Sequence, residues 1–139
     1  MMSDQNLLRE YLDEFATKVA AAGLGERTPG ANWLALKPFT SGSHVSLSVS
    51  ATKVQVNLNN DDDADRRKYD ALWKERDQIQ EELGTPLEWE SKSGVKKTSV
   101  RAVMDGGYGG YEDRGSWARQ HEWATSMMKA FEKSFGSRI

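Results

Sequence analysis

The chain has 139 residues, enough for one compact domain with its own core and too few for two ordinary domains, so we predict a single domain over residues 1–139. It contains no cysteine, which excludes disulfide frameworks, thiolate zinc sites and cysteine nucleophiles. The net charge of −2 excludes the overall positive field that drives unspecific binding to nucleic acids.

The first predicted element is an amphipathic helix that begins near Ser3 or Asp4, since both are good capping residues. Apolar residues recur along it at helical spacing: Leu8, Leu12, Phe15, Val19 and Ala22. This segment is acidic, unlike a basic leader with an apolar run, and no stretch of the chain approaches the roughly 20 apolar residues of a membrane span. We therefore expect a cytoplasmic protein that does not enter membranes.

Three strands are predicted next. Residues 32–37 form a short apolar run that ends at Pro38. Apolar residues then alternate with serines over 45–51, and with lysine, glutamine and asparagine over 53–58. Alternation of this kind is typical of half-buried strands, and the short link at 51–53 indicates an antiparallel hairpin.

A second helix is predicted from about Asp62 to Leu83, ended by Gly84 and Pro86. Its buried stripe is expected to consist of Tyr69, Leu72, Trp73, Ile79 and Leu83. The acidic residues at its start are Asp61, Asp62, Asp63 and Asp65. In the first helical turn such residues are stabilised by the helix dipole, so we interpret them as a helix start and not as a metal site.

Two further strands, 87–91 and about 98–104, are predicted to form a second hairpin. The glycine-rich tract 105–115 indicates a loop, and residues 117–135 a last helix with an aromatic face. The resulting order, α-βββ-α-ββ-α, predicts an α+β domain with three helices and a mainly antiparallel five-stranded sheet.

The aromatic residues and histidines raise further expectations. Of the five tryptophans, at positions 33, 73, 89, 117 and 123, most are predicted to be buried. Trp123 lies off the main stripe of its helix, so it and Met127 either form an exposed patch for a partner or contact the first helix. His121 lies on the apolar side of the same helix and is predicted to be a core or boundary residue.

One candidate catalytic site lies in the strand after the second helix, where Glu90 and Lys92 alternate. An acid and a lysine at this spacing resemble the edge of a metal-dependent nuclease, with Asp61 or else Asp62 as the second carboxylate and Mg²⁺ as the cofactor. The alternative is a structural strand whose charges lie in water. We favour the structural strand, and with it a protein that is not an enzyme and needs no metal or cofactor.

Charge is distributed unevenly along the chain. Residues 61–92 hold 11 acids and 6 bases, whereas residues 93–139 hold 5 acids and 8 bases. A local basic face is therefore possible, built from Lys96, Lys97, Arg101, Arg114 and Arg119. Together with Tyr108 and Tyr111 of the glycine-rich loop and with Trp123, the first three bases are the predicted binding residues.

The run NWLALKPFTSGSHVSLSVSATKVQVNLNNDDD, the helix RKYDALWKERDQIQEELG and the junction ELGTPLEWE together resemble the bacterial family of domains of unknown function DUF4268. The resemblance covers roughly residues 5–135. Its most distinctive positions are Leu83, Gly84, Pro86, Leu87, Trp89 and Glu90.

Members of this family often follow a restriction-endonuclease-like domain, so the resemblance implies an association with nucleic-acid processing or defence. It implies no catalytic residues. Since no such domain precedes the module in this chain, we expect an accessory role: a non-enzymatic binding module that is a homodimer or binds a protein partner, with nucleic acid as a possible ligand. The alternatives are the nuclease with Asp61, Glu90 and Lys92, and an inhibitory or structural protein that binds only other proteins.

Overall fold

The computed structural model describes residues 4–25 and 29–139, so Ser3, one of the two predicted capping residues, lies outside the described part. Within the described ranges, four α-helices and five strands follow one another, with a short 3₁₀ turn at Arg114–Ser116. In order they are α1 (Asp4–Ala21), β1 (Trp33–Ala35), β2 (Ser43–Val49), β3 (Val54–Asn60), α2 (Arg67–Lys74), α3 (Arg76–Leu83), β4 (Glu88–Ser91), β5 (Thr98–Val103) and α4 (Trp117–Gly136). None of the described helices is long and apolar enough to cross a membrane.

The five strands form one sheet in the order β1-β2-β3-β5-β4. Every neighbouring pair is antiparallel, which confirms the α+β class and both predicted hairpins. β3 pairs with β5, although α2, α3 and β4 lie between them in the sequence. β2, β3 and β5 are therefore the inner strands of the sheet. β1 and β4 are its edges.

One face of the sheet forms the core with the helices. Successive strand residues point to opposite faces, and the apolar set of each inner strand lies on the same side. The buried apolar residues of the strands on this side are Leu34, Val45, Leu47, Val49, Val54, Val56, Leu58, Val100 and Ala102. They form a single cluster with apolar residues from all four helices, so the helix layer covers this face of the sheet.

The predicted second helix is shorter than expected and is divided in two. It begins at Arg67 and not at Asp62, because Arg66 adopts a left-handed backbone conformation with φ 64° that ends the preceding turn. At Glu75 the backbone leaves helical geometry, with φ −108° and ψ 18°, and α3 starts at the next residue. The four aspartates therefore precede the helix, and only Asp63 is buried.

The expectation that most tryptophans are buried is wrong. Only Trp117 is buried, while Trp89 and Trp123 are half-buried and Trp33 and Trp73 are each 41% exposed. Trp33 lies on the edge strand β1, and Trp73 lies on α2. Trp123 packs partly against the core and Met127 is buried, so these two do not form an exposed apolar patch.

The core between α1 and α4 contains a polar cluster. His121 is fully buried, as predicted, with its ring 4.4 Å from that of Tyr11. The Nδ1 atom of His121 lies 2.9 Å from Nζ of Lys18. Burial, with the charge of Lys18 as a second cause, lowers the pKa of His121 to about 3, and burial also raises the pKa of Tyr11.

Candidate functional site

The second face of the sheet is not covered by any described helix and carries mainly polar side chains. We call it the open face. The strand register places its side chains in rows across the sheet. The first row is His44, Asn59, Ser99 and Glu90; the second is Ala35, Ser46, Asn57, Arg101 and Glu88; the third is Trp33, Ser48, Gln55 and Val103.

Hydrogen bonds join the amides and hydroxyls of β2 and β3 into a network. Gln55 Nε2 donates to Asn57 Oδ1 at 2.8 Å, and Asn57 Nδ2 donates to the hydroxyls of Ser46 and Ser48 at 3.2 and 3.0 Å. Asn59 Nδ2 donates to the hydroxyl of Ser46 at 2.9 Å. The side chains are thereby held in fixed positions before any ligand arrives, which lowers the entropy cost of binding.

An open groove of about 680 Å³ runs over this network. Its floor consists of the Ser, Asn and Gln side chains of β2 and β3. Trp33 lies at one margin, and Glu90, Lys92 and Arg101 lie at the other. A groove of this size is within the range of ligand sites, but its lining is far more polar than that of most small-molecule pockets.

Ion pairs occupy the β4 side of the groove. Glu90 is paired with Arg101 and, at 3.1 Å, with Lys92, while Arg101 also lies 3.9 Å from Glu88. Its hydrogen bond with Lys92, helped by the charge of Arg101, holds the pKa of Glu90 below its usual value. Glu90 is therefore a carboxylate at neutral pH, and its charge is already compensated.

At the end of the groove nearest the β4–β5 turn, His44 and Asp61 form a second pair. Nδ1 of His44 lies 2.9 Å from Oδ2 of Asp61. The side chain of His44 is only 15% exposed, and that of Asp61 is 42% exposed. The carboxylate fixes the orientation of the imidazole ring, as is common for histidines that bind ligands.

The turn that carries Lys92 and Lys97 is held by Arg66. Its guanidinium donates to the backbone carbonyls of Asp63, Lys92 and Val95 at 2.8, 2.5 and 2.5 Å. Asp63 anchors the same region, because its carboxylate accepts hydrogen bonds from the backbone N–H groups of Lys68 and Tyr69 at 3.0 Å and from the hydroxyl of Thr98 at 2.7 Å. The left-handed conformation of Arg66 therefore serves to bring the helix layer and this turn together.

The three residues of the nuclease hypothesis line the same groove, but they are not adjacent. β5 separates β3, which Asp61 follows, from β4, which holds Glu90, so the backbones that carry the two carboxylates are two strand spacings apart, about 10 Å. Glu90 and Lys92 do contact each other. Among the described residues no three His, Cys, Asp or Glu side chains are grouped closely enough to hold a metal ion.

The predicted binding residues are divided between two ends of the sheet. Lys97 and Arg101 line the groove, whereas Lys96 is exposed in the turn before β5 and does not line it. Tyr108 and Tyr111 lie beyond the other end of β5. The structure therefore unites only part of the predicted basic set with the open face.

The glycine-rich loop is fixed to the body of the protein. Buried Gln120 donates from Nε2 to the carbonyls of Tyr108 and Gly110 at 2.6 and 3.0 Å. A side chain at Gly110 would place its Cβ 2.0 Å from the carbonyl oxygen of Ser50, so only glycine allows this close approach. Tyr108 is half-buried under Arg119, whose Cζ lies 5.1 Å from the ring centre.

Sequence reasoning missed the main component of the groove, the hydroxyls and amides of Ser46, Ser48, Gln55, Asn57 and Asn59. The signal was present, because these residues are the polar members of the two alternating segments. Polar residues at these positions are also expected for any solvated strand face. Their arrangement in rows depends on the register between distant strands, which the alternation does not specify.

Comparison with known proteins gives a family match and a similarity to a solved structure. The family model described as "Domain of unknown function (DUF4268)" matches residues 7–139. Among solved structures, the chain is similar to the "Crystal structure of YbjN, a putative transcription regulator from E. coli", with 16% sequence identity and a TM-score of 0.46 over 90% of this chain and 93% of that chain. No significant match is found among curated protein sequences.

Proposed function

This chain belongs to the DUF4268 family, and we propose that it is a non-enzymatic binding module that holds a protein partner on the open face of its sheet. The observation that carries the proposal is the groove over β2, β3 and β5, which no described helix covers and whose polar floor is ordered by hydrogen bonds. Peptide groups and polar side chains of a partner could exchange hydrogen bonds with the hydroxyls and amides of that floor.

The charges of the groove favour a protein over a nucleic acid. Arg101 and Lys92 are both paired with Glu90, and His44 is paired with Asp61. A phosphate backbone would have to displace or approach these carboxylates, whereas a protein surface of mixed charge would not. Among the described residues, Trp33 is the only tryptophan, tyrosine or phenylalanine that lines the groove, so the groove offers no row of such rings for stacked bases.

Two features of the groove are relevant to the competing hypotheses of a nucleic-acid ligand and of a nuclease activity. Lys97 lines the groove without a carboxylate partner among the described residues, and with Arg101 it is the part of the predicted basic set that could contact phosphate. Asp61, Glu90 and Lys92 share the groove, as a nuclease would need. The association with nucleic-acid processing, the cytoplasmic location and the absence of a cofactor remain predictions.

Selection of peptides tests the proposal. A displayed library of random peptides is selected on the immobilised protein, and a selected peptide is labelled and titrated by fluorescence anisotropy. Ser48→Arg and Ser99→Arg each put a long cation into the groove from a different strand, so each should raise the peptide Kd at least about tenfold. Gln78→Arg adds the same charge at an exposed position of α3 and should leave the peptide Kd unchanged.

The competing ligands are tested on the same proteins with labelled single- and double-stranded DNA at low and moderate salt with Mg²⁺. If the DNA binding depends on salt and is abolished by Lys97→Glu and by Arg101→Glu, the ligand of the groove is nucleic acid and not a protein partner. DNA cleavage that Glu90→Ala removes would make the chain an enzyme. A library that yields no peptide sensitive to Ser48→Arg would also reject the proposal.

A further inference from the structure

A second surface lies at the β4 edge of the sheet, apart from the groove. It consists of Tyr69 and Trp73 of α2 and Trp89 of β4, which we call the aromatic cluster. The rings of Tyr69 and Trp73 are stacked with centroids 6.1 Å apart, and Trp89 meets Trp73 edge-on at 5.4 Å. Although Trp73 makes both contacts, 41% of its surface remains exposed.

The cluster belongs to rigid elements. The start of α2 is held by the hydrogen bonds from Lys68 and Tyr69 to buried Asp63. β4 is an edge strand that pairs with β5 on one side only among the described residues. An exposed tryptophan beside a free strand edge is a combination that soluble proteins usually cover, since both favour association with another chain.

The charges around Trp73 indicate what covers it. Asp70 is exposed and lies three residues before Trp73. Arg76 lies three residues after it, with Cζ 4.4 Å from the centre of the Trp73 ring and Nη1 donating to the Trp73 carbonyl at 2.9 Å. Along the chain, an exposed carboxylate therefore precedes Trp73 and a guanidinium that contacts its ring follows it.

We infer that the aromatic cluster is the interface of a homodimer, in which a two-fold axis passes near Trp73. Rotation about such an axis brings each surface against its own copy in reverse direction. Asp70 of one protomer then faces Arg76 of the partner subunit, and Arg76 faces Asp70 of the partner subunit. A surface with opposite charges on either side of a central aromatic residue therefore complements itself.

The two protomers would bury Trp73 at the centre of the contact, where aromatic hot-spot residues are usually found. The charge pairs lie beside it and set the antiparallel orientation. Since the groove lies on the other face of the sheet, the dimer leaves both grooves accessible. The inference does not rest on the proposed partner binding.

Sedimentation equilibrium of the full chain over a range of protein concentrations tests the dimer. The wild type should approach twice the 15.6 kDa of the chain. Trp73→Asp should raise the dimer dissociation constant at least about thirty-fold, since loss of a hot-spot tryptophan costs about 2 kcal/mol and a tenfold change corresponds to about 1.4 kcal/mol. Trp33→Asp is the matched control, because Trp33 is equally exposed but lies in the groove.

A charge exchange keeps the test valid if Trp73→Asp does not fold. Asp70→Arg and Arg76→Asp should each weaken the dimer about tenfold, because each places like charges face to face. The double variant restores opposite charges in both pairs and should return to the wild-type constant. Circular dichroism melting shows whether each variant is folded.

Three outcomes would overturn the inference. The first is a wild type that keeps the mass of one chain at every concentration. The second is a dimer that Trp33→Asp dissociates while a folded Trp73→Asp variant does not. The third is a double variant that does not recover the wild-type constant although both single variants weaken association.

Discussion

The two faces of the sheet are built from the same strands yet have opposite chemistry. Along β2 the side chains of Val45, Leu47 and Val49 are buried beneath the helices, while the alternate residues His44, Ser46 and Ser48 lie on the open face. Along β3 the same division separates valines and leucine from amides. A shift of register by one residue would exchange the two faces, so burial of the apolar side fixes which polar residues become available to a ligand.

The comparison shows that the two faces contribute to different properties. The covered face gains stability from apolar area removed from water. The open face consists of partly buried hydrogen bonds and of ion pairs in contact with solvent, and such exposed ion pairs contribute little to folding. We therefore expect substitutions on the covered face to unfold the protein, and substitutions on the open face to change binding while the fold remains.

The largest expected effect is on the covered face of β2. Leu47→Ala removes a fully buried side chain and leaves a cavity, so it should lower the free energy of unfolding by about 3 kcal/mol. Ser48→Ala, the next residue on the open face, should change it by less than about 0.5 kcal/mol. Urea unfolding followed by circular dichroism measures both, and equal losses would mean that the two faces do not differ as described.

The next effect concerns the junction where the helix layer meets the strands. Asp63→Ala leaves the N–H groups of Lys68 and Tyr69 and the hydroxyl of Thr98 without their acceptor, and should cost about 2 kcal/mol. Asp62→Ala is the control, because Asp62 is exposed and should change stability by less than about 0.5 kcal/mol. A similar loss in both would assign the effect to the charge of the aspartate cluster and not to the hydrogen bonds.

Acidification should lower the stability of the protein through the buried side chain of His121. The pKa of His121 is about 3 in the folded protein and about 6.5 when unfolded, so between these values the unfolded chain binds the extra proton. Stability should therefore fall as pH decreases through this window, by about 1 kcal/mol between pH 6 and 5. His121→Gln should lack this dependence, and a nitrogen-15 spectrum that shows a protonated His121 at pH 5 would contradict the prediction.

The smallest effect is expected for the ion pairs of the open face. The pKa of Glu90 lies below its ordinary value in the folded protein. Its contribution to the free energy of unfolding is therefore present above the pKa of the unfolded chain and disappears as pH falls through the pKa of the folded protein. Because Glu90 is 38% exposed, solvent and salt weaken this contribution. Lys92→Gln should move the pKa of Glu90 upward in a carbon-13 titration with little change in stability, and an unchanged pKa would refute the pairing.

Much of the fold was predictable because each strand and helix carries a local pattern. Alternation over 45–58 predicted the first hairpin, and helical spacing from Trp117 onward predicted α4. The second helix was predicted too long because Asp62 is a good helix start, while the actual start depends on Arg66, whose guanidinium binds carbonyls of a turn almost thirty residues away. Local pattern cannot include such a contact.

The candidate site was less predictable than the fold. Arg101 and Lys97 were proposed for binding and do line the groove, and Asp61, Glu90 and Lys92 do share it. The prediction from sequence grouped Lys97 and Arg101 with Tyr108 and Tyr111, which lie at the opposite end of the sheet, because distance along the sequence was the only guide. Trp73 was assigned to a buried stripe, since helical periodicity indicates a face and does not show where the neighbouring layer ends.

The sequence by itself determined the order of the elements, the antiparallel hairpins and which side of each strand is apolar, because these depend on residue type and on the periods of helix and strand. The tertiary structure alone decided that β5 lies between β3 and β4, and that the polar residues of four strands form rows in one groove. It also decided that Tyr69, Trp73 and Trp89 meet at an exposed edge. The physical reason is that these arrangements depend on packing between segments far apart in the chain, whose free energy no local pattern records.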